Sequence, residues 1–309
     1  MKTPMKAAFA LCAMAACGDV DQPQQQADPP DARDLHPYVP DGSTAPKHCD
    51  PLARFGAPVK ITSLSTPDHT EAVTRLSPDE LTVYFETWSS GVPWKLYVAR
   101  RASKDDAFPT PSMLTAVTST ANDFDPSIST DGLTLWFGSD RDGGVQHLYV
   151  ATRASVLGEF GAPQRASIVN SDAPDGQPFL TADGGELWFT SNRAPSAGRD
   201  IWRASKIGDA FGAPVAEPAL DSSAEDWLPM LSADRLTIYF ASNRGGGGAK
   251  GDFEIYRAHR ANVDDGFPAP TLVDELNTAG ADLPGWLSPD DCRIYTYTDG
   301  DVYVATRSL

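Results

Sequence analysis

A single landmark recurs five times along the chain at a nearly constant interval, and this limits the possible folds more than any other feature. Aligned on a turn aspartate, the copies are RLSPDELTVYF at Asp79, SISTDGLTLWF at Asp131, FLTADGGELWF at Asp183, MLSADRLTIYF at Asp234 and WLSPDDCRIYT at Asp290, spaced 52, 52, 51 and 56 residues apart. A unit of this length without helical periodicity accommodates four short strands. In each unit a short apolar strand reaches the turn. A second strand, rich in β-branched and aromatic residues, leaves it (LTVYF, LTLWF, ELWF, LTIYF, CRIYT), and a third follows (KLYVARR, HLYVATR, DIWRASK, EIYRAHR, DVYVATR). Between units lies a segment marked by Phe and Pro, at Phe55, Phe108, Phe160, Phe211 and Phe267, which reads as the fourth strand. With 25 Gly and 26 Pro the chain is too punctuated for long helices, while 41% hydrophobic residues suffice for a core.

The Phe-marked segment comes first and the turn aspartate last, so the chain starts with an unpaired outer strand and ends with a unit that lacks one. Pairing the segment at Phe55 with the strand around Val302 closes a ring and removes exposed sheet edges. The expected fold is therefore all-β: a five-bladed β-propeller of four-stranded antiparallel blades, spanning residues 49–309. The alternative count is six blades, one of them unrecognisable.

The repeated (S/T)-x-D-G turn, the hydrophobic-Y/W-F-x-S-(D/N)-R strand after it and the following (D/E)-I-Y/W resemble the WD-like propeller repeat of the TolB family and of many bacterial envelope lipoproteins. The resemblance covers residues 55–307 and implies a propeller that binds partners in the cell envelope. It departs from TolB in blade count and in lacking an extra α/β domain.

Lys2 and Lys6 precede an apolar stretch from Ala7 to Ala16 that is too short to span a bilayer and suits a secretory signal. Met14-Ala15-Ala16-Cys17 resembles the bacterial lipobox, which implies cleavage after residue 16, lipidation of Cys17 and a membrane contact through that anchor alone. Residues 17–48 are rich in Pro, Gln and Asp and cannot bury enough surface to fold, so they are expected to form a disordered tether. The outer membrane is the favoured location. Cys12 leaves with the signal, so the exported domain retains Cys49 and Cys292. Strand direction sets both on the turn face beside the seam between first and last blades, where a disulfide is expected.

A net charge of −17 argues against nucleic-acid partners, which need a cationic footprint. Eight residues before each turn aspartate stands an acid: Glu71, Asp123, Asp175, Asp226 and Asp282. All five begin the innermost strand and should gather at one mouth of the central channel. Ten residues after the turn stand Arg141, Arg193 and Arg244 in the middle three units, expected to pair with these acids. Units one and five carry Ser89 and Gly300 there, so Glu71 and Asp282, with Asp299 and Asp301 close by, should make the seam electronegative unless Arg75 or a cation compensates. No resident cofactor or metal is expected. The cation such carboxylates would take is Ca²⁺, although no contiguous oxygen-ligand loop is present.

Trp136, Trp188, Trp202, Tyr84, Tyr239 and Tyr295 fall at core registers. Trp88, Trp94, Phe124 and Trp227 fall on the acidic-ring face, where aromatics beside carboxylates stack sugars or seat apolar and cationic side chains. No nucleophile elbow, H-E-x-x-H or paired C-x-x-C occurs, and His69 and His147 fall short of a metal triad. The expected function is therefore non-catalytic: a monomeric propeller that binds an envelope protein, peptide or glycan through the acidic ring and its aromatics. The alternative is a carbohydrate-active enzyme, glycoside hydrolase or lyase, with Glu71 and Asp282 as catalytic carboxylates. It follows a resemblance to five-bladed furanosidases.

Overall fold

The computed structural model describes residues 48–65, 69–195, 198–246 and 248–308. The signal segment, Cys17 and nearly all of the tether lie outside the described residues.

Five antiparallel sheets surround an axis. Their innermost strands are Thr70–Leu76, Asp123–Ile128, Asp175–Leu180, Asp226–Leu231 and Asp282–Leu287, in blades 1 to 5. The fifth sheet is completed by Val59–Lys60, which pairs antiparallel with the last strand, Val59 opposite Val304 and Lys60 opposite Tyr303. Five buried apolar clusters lie between adjacent blades, including one that joins Leu76, Val83 and Phe85 of blade 1 to Tyr295 and Val302 of blade 5. An open array of five blades would bury only four such seams, so the closure is a packed interface like the others.

The turn aspartate is the local reason for each inner hairpin. In blade 1 the Ser77 hydroxyl donates to Asp79 at 2.5 Å, the Leu81 N–H donates to the same carboxylate, and the Thr82 N–H donates to Ser77 Oγ. The residue after each turn aspartate has positive φ, and two of these five are Gly132 and Gly184. Glu80, Arg235 and Asp291 hold that left-handed conformation without being glycine, so the turn is set by the Ser/Thr and Asp hydrogen bonds as much as by glycine.

The outer strands are shorter than the sequence suggests. Only two residues pair in each, such as Ser112–Met113 and Gln164–Arg165. The preceding Phe and Pro are not in the ladder: proline has no N–H to give it, and the Phe ring packs inward instead. Arg101, Arg153, Arg260 and Arg307, each directly after a third strand, lie over Phe108, Phe160, Phe267 and Phe55, at 3.9 to 4.4 Å from the ring centroids. Blade 3 carries Lys206 at that position. Here Phe211 joins an extra two-residue strand and meets Trp136 edge-on, and the outer strand starts at Val215.

Candidate functional site

The four ring aspartates start their inner strands as the repeat implies and Glu71 is the second residue of its own, but all five face into the protein. Asp123, Asp175, Asp226 and Asp282 are 0% exposed and Glu71 is 2% exposed. Each aspartate accepts from the backbone N–H four residues earlier, at Ser119, Ser171, Ser222 and Thr278, which closes the loop entering its blade. Arg141, Arg193 and Arg244 donate to the acid of their own blade at 2.5, 2.6 and 2.5 Å. Each arginine also donates to the carbonyl of Val117, Val169 or Leu220, and lies over two aromatic rings of its blade, as Arg193 does over Phe189 and Trp202. Acid, arginine and stacked rings thus form one brace that repeats in blades 2, 3 and 4.

Blades 1 and 5 solve the same problem without arginine. In blade 5, Asp282 accepts from the Thr298 hydroxyl at 2.6 Å and from the Thr278 hydroxyl and N–H. Burial, with Glu254 adding repulsion, raises its pKa. Glu71, one methylene longer, lines a cavity of about 200 Å³ with His69, Phe85, Thr87 and Tyr97. Arg75 pairs with neither seam acid; its guanidinium lies over the Phe179 ring on the far side of the axis. Asp301 is matched by Lys60 at 2.7 Å.

The aromatics meet where the acids do not. Trp88 and Trp94 lie 6.4 Å apart, and Trp94 lies 6.5 Å from Phe124. Trp227 stacks on Phe253 at 4.2 Å, takes the Arg199 guanidinium on its face and donates its indole N–H to Glu225. Trp94 and Trp227 both pack against Ala72 and Leu228 at the axis. The acidic-ring face therefore carries an aromatic surface around the axis, and Trp88 within it is 41% exposed. Trp136, Trp188, Trp202, Tyr84, Tyr239 and Tyr295 are buried, as their registers imply.

Sequence reasoning missed two groups of polar residues. The first stitches blade to blade: the Asp125 N–H donates to Glu86 Oε2, the Gln177 N–H to Asp125 Oδ2 and the Leu228 N–H to Gln177 Oε1. The series stops at Pro284, which has no N–H, and its neighbour Leu228 accordingly offers no acceptor. Burial pushes Glu86 up, with Asp125 adding repulsion, and burial pushes Asp125 up to about 6 against the pull of Arg199 and Arg75. The signal was the residue two places after each ring acid, which is polar in blades 2 and 3.

The second group is Asp200, Asp221 and Asp226, whose carboxylate oxygens lie within 4.8 Å of one another. Asp221 stands where blades 3 and 5 have Asn170 and Asn277. Both asparagines accept a third-strand N–H and donate to the carbonyl of the same residue. Asp221 makes the first of these bonds, accepting from the Ile201 N–H at 3.0 Å. Burial, with repulsion from Asp200, Asp226 and Glu217, pushes it up to about 7. His147 shares a 2.9 Å contact with Arg165, and burial lowers its pKa.

Cys49 and Cys292 form the expected disulfide on the turn face at the seam, with Cα atoms 5.1 Å apart. No helix among the described residues is long and apolar enough to cross a membrane.

No protein-family model matches the chain, and no curated protein matches it. Its architecture does match solved structures. The endo-arabinase from Bacteroides thetaiotaomicron aligns with a TM-score of 0.56 at 15% identity, covering 83% of this chain and 98% of the enzyme. The RS223 β-xylosidase aligns at 0.54 with 12% identity, over 82% of this chain and 95% of the other. TolB from Acinetobacter baumannii aligns at 0.50 with 16% identity over 80% of this chain, which spans 56% of that TolB. At these identities the likeness is one of fold: all are matched through the β-propeller architecture, which in this chain has five blades.

Proposed function

We propose that the chain is a non-catalytic, lipid-anchored propeller of the bacterial cell envelope that binds a protein, peptide or glycan on its acidic-ring face. Cys17 carries the lipid, residues 17–48 hold the propeller off the membrane, with the outer membrane favoured, and the propeller acts as a monomer without a cofactor. The observation that carries this is a division of labour on one face. The aspartates of the ring are consumed by backbone, hydroxyl and arginine partners beneath the surface, while the aromatics around the axis reach it. A carboxylate with no exposed surface and filled acceptor sites is poorly placed to protonate a leaving group or activate water. Exposed Trp beside an acidic protein surface is suited to stacking sugar rings and to seating cationic side chains.

Capture from envelope extract by the full chain tests it. Trp88→Ala with Trp94→Ala should abolish retention of the bound partner, and retention should weaken with added salt if the partner is basic. The minority reading keeps Glu71 and Asp282 as the carboxylates of a glycoside hydrolase, supported by the fold shared with the endo-arabinase. Hydrolysis of arabinan or another glycan by the wild-type chain, lost in Glu71→Gln with Asp282→Asn, would favour that reading and sink the binding-only one.

A further inference from the structure

Four residues past each ring acid, the inner strands place Arg75, Ser127, Phe179, Met230 and Trp286 in one layer across the axis. Arg75 is the only charged member. It is 2% exposed, and none of its three guanidinium nitrogens has a hydrogen-bond partner among the described residues. A buried cation without such partners is costly, and natural cores rarely keep one unless something else compensates it. Glu86 and Asp125 are the nearest opposite charges, yet both spend acceptor oxygens on the blade-to-blade stitch, and neither forms an ion pair with Arg75. Burial lowers the Arg75 pKa to about 10, so it stays charged at neutral pH.

Arg75 sits in the lining of a cavity of about 260 Å³ on the axis. The mouth is framed by the middle residue of each Ser/Thr-x-Asp turn, Pro78, Thr130, Ala182, Ala233 and Pro289. All are small or uncharged, and four of the five are exposed. The cavity therefore opens on the turn face, opposite the acidic-ring face. Its walls are apolar, with the rings of Phe179 and Trp286 among them.

We propose that this axial cavity is a binding site for a small apolar carboxylate, an aryl or branched-alkyl acid whose carboxylate accepts from the Arg75 guanidinium while its body lies against Phe179 and Trp286. Arginine presents a planar fork that matches a carboxylate, and desolvation in the cavity strengthens the pair. The enclosed volume is at the small end for ligand sites, which selects a body about the size of an aromatic ring. The site is independent of any partner on the opposite face.

Titration of the full chain with 4-fluorobenzoate, followed by fluorine NMR and calorimetry, tests the proposal. One-to-one saturable binding is expected, with 4-fluorobenzamide weaker by about ten-fold or more because it lacks the charge. Arg75→Met should weaken the acid by a similar factor and leave the amide unchanged. Ala182→Trp, at the exposed mouth, should block the acid without changing the melting temperature, and it serves as the deciding variant if Arg75→Met does not fold. Lack of saturation by about 10 mM acid, equal affinity for acid and amide, or binding unaffected by Ala182→Trp would each overturn the site.

Discussion

Arg293 of the last blade donates two hydrogen bonds to Glu80 of the first, Nε to Oε2 at 2.8 Å and Nη2 to Oε1 at 2.5 Å, across 213 positions of sequence. Tyr295 and Lys104 donate to the same carboxylate. Glu80 holds the left-handed turn position that is glycine in blades 2 and 3, so blade 1 gives up the easiest turn residue to gain a carboxylate at the seam. Burial by itself would raise the Glu80 pKa; hydrogen bonds and charge from Arg293 and Lys104 outweigh it and hold the carboxyl below its usual range.

Glu80→Gln should therefore cost about 2–4 kcal/mol at neutral pH, because Arg293 loses a buried partner. The sign with pH follows from the lowered folded value. The stabilisation is complete above the unfolded carboxylate pKa, near 4.3, and is lost as pH falls through the lower folded one. Urea denaturation of both proteins from neutral pH downwards should show the gap closing in acid; a constant gap would remove Glu80 from the seam's electrostatics.

The second lock is covalent. Cys49 and Cys292 are separated by 243 positions, and a loop of that size contributes up to about 5 kcal/mol on the chain-entropy model. Reductant, or Cys49→Ser with Cys292→Ser, should lower the melting temperature by roughly 10 °C. The reduced protein should still fold, since the Val59–Lys60 pairing and the cluster between blades 5 and 1 remain.

The acid and arginine brace should behave as architecture. Arg193→Met leaves Asp175 buried without its ion pair and should cost about 3–5 kcal/mol, of which Asp175→Asn in the same chain should restore a large part. Trp88→Ala, at an exposed position, should cost under about 1 kcal/mol. Thermal melts of the three variants separate residues that hold the face from those available to touch a partner.

Asp221 should be destabilising in its ionised form. Its folded pKa of about 7 lies above the unfolded value, so the folded state loses stability as pH rises through that interval. As a neutral acid it can supply the donor that Asn170 and Asn277 supply in their blades. Asp221→Asn should therefore stabilise the protein by roughly 1–2 kcal/mol at pH 8, a figure discounted for its partial exposure. The variant should gain little near pH 4. A gain that does not depend on pH would contradict the assignment.

Period and register carried most of the architecture. The spacing of Asp79, Asp131, Asp183, Asp234 and Asp290 set the blade count, and the unpaired segment after Phe55 set the closure, because strand pairing and turn chemistry are local and repeat with the chain. The brace of Asp123 with Arg141 was legible for the same reason: both positions recur at fixed offsets. The true extent of the outer strands was not, since the inward packing of Phe55, Phe108, Phe160 and Phe267 goes with an arginine stacked from the end of the third strand of the same blade, which for Phe55 is Arg307 at the other end of the chain.

Residues around the axis were legible only in part. Sequence spacing places Glu71 and Asp282 at the channel mouth, but their burial depends on the loops that fold over them. Arg75 is an ordinary residue in its own strand. Its meaning comes from Phe179, two blades away, and from a cavity to which all five blades contribute. Hydrophobic pattern and turn residues act over a few positions and so survive in the linear sequence. Desolvation and the distance between charges are properties of three-dimensional neighbours, and only ring closure decides which residues those are.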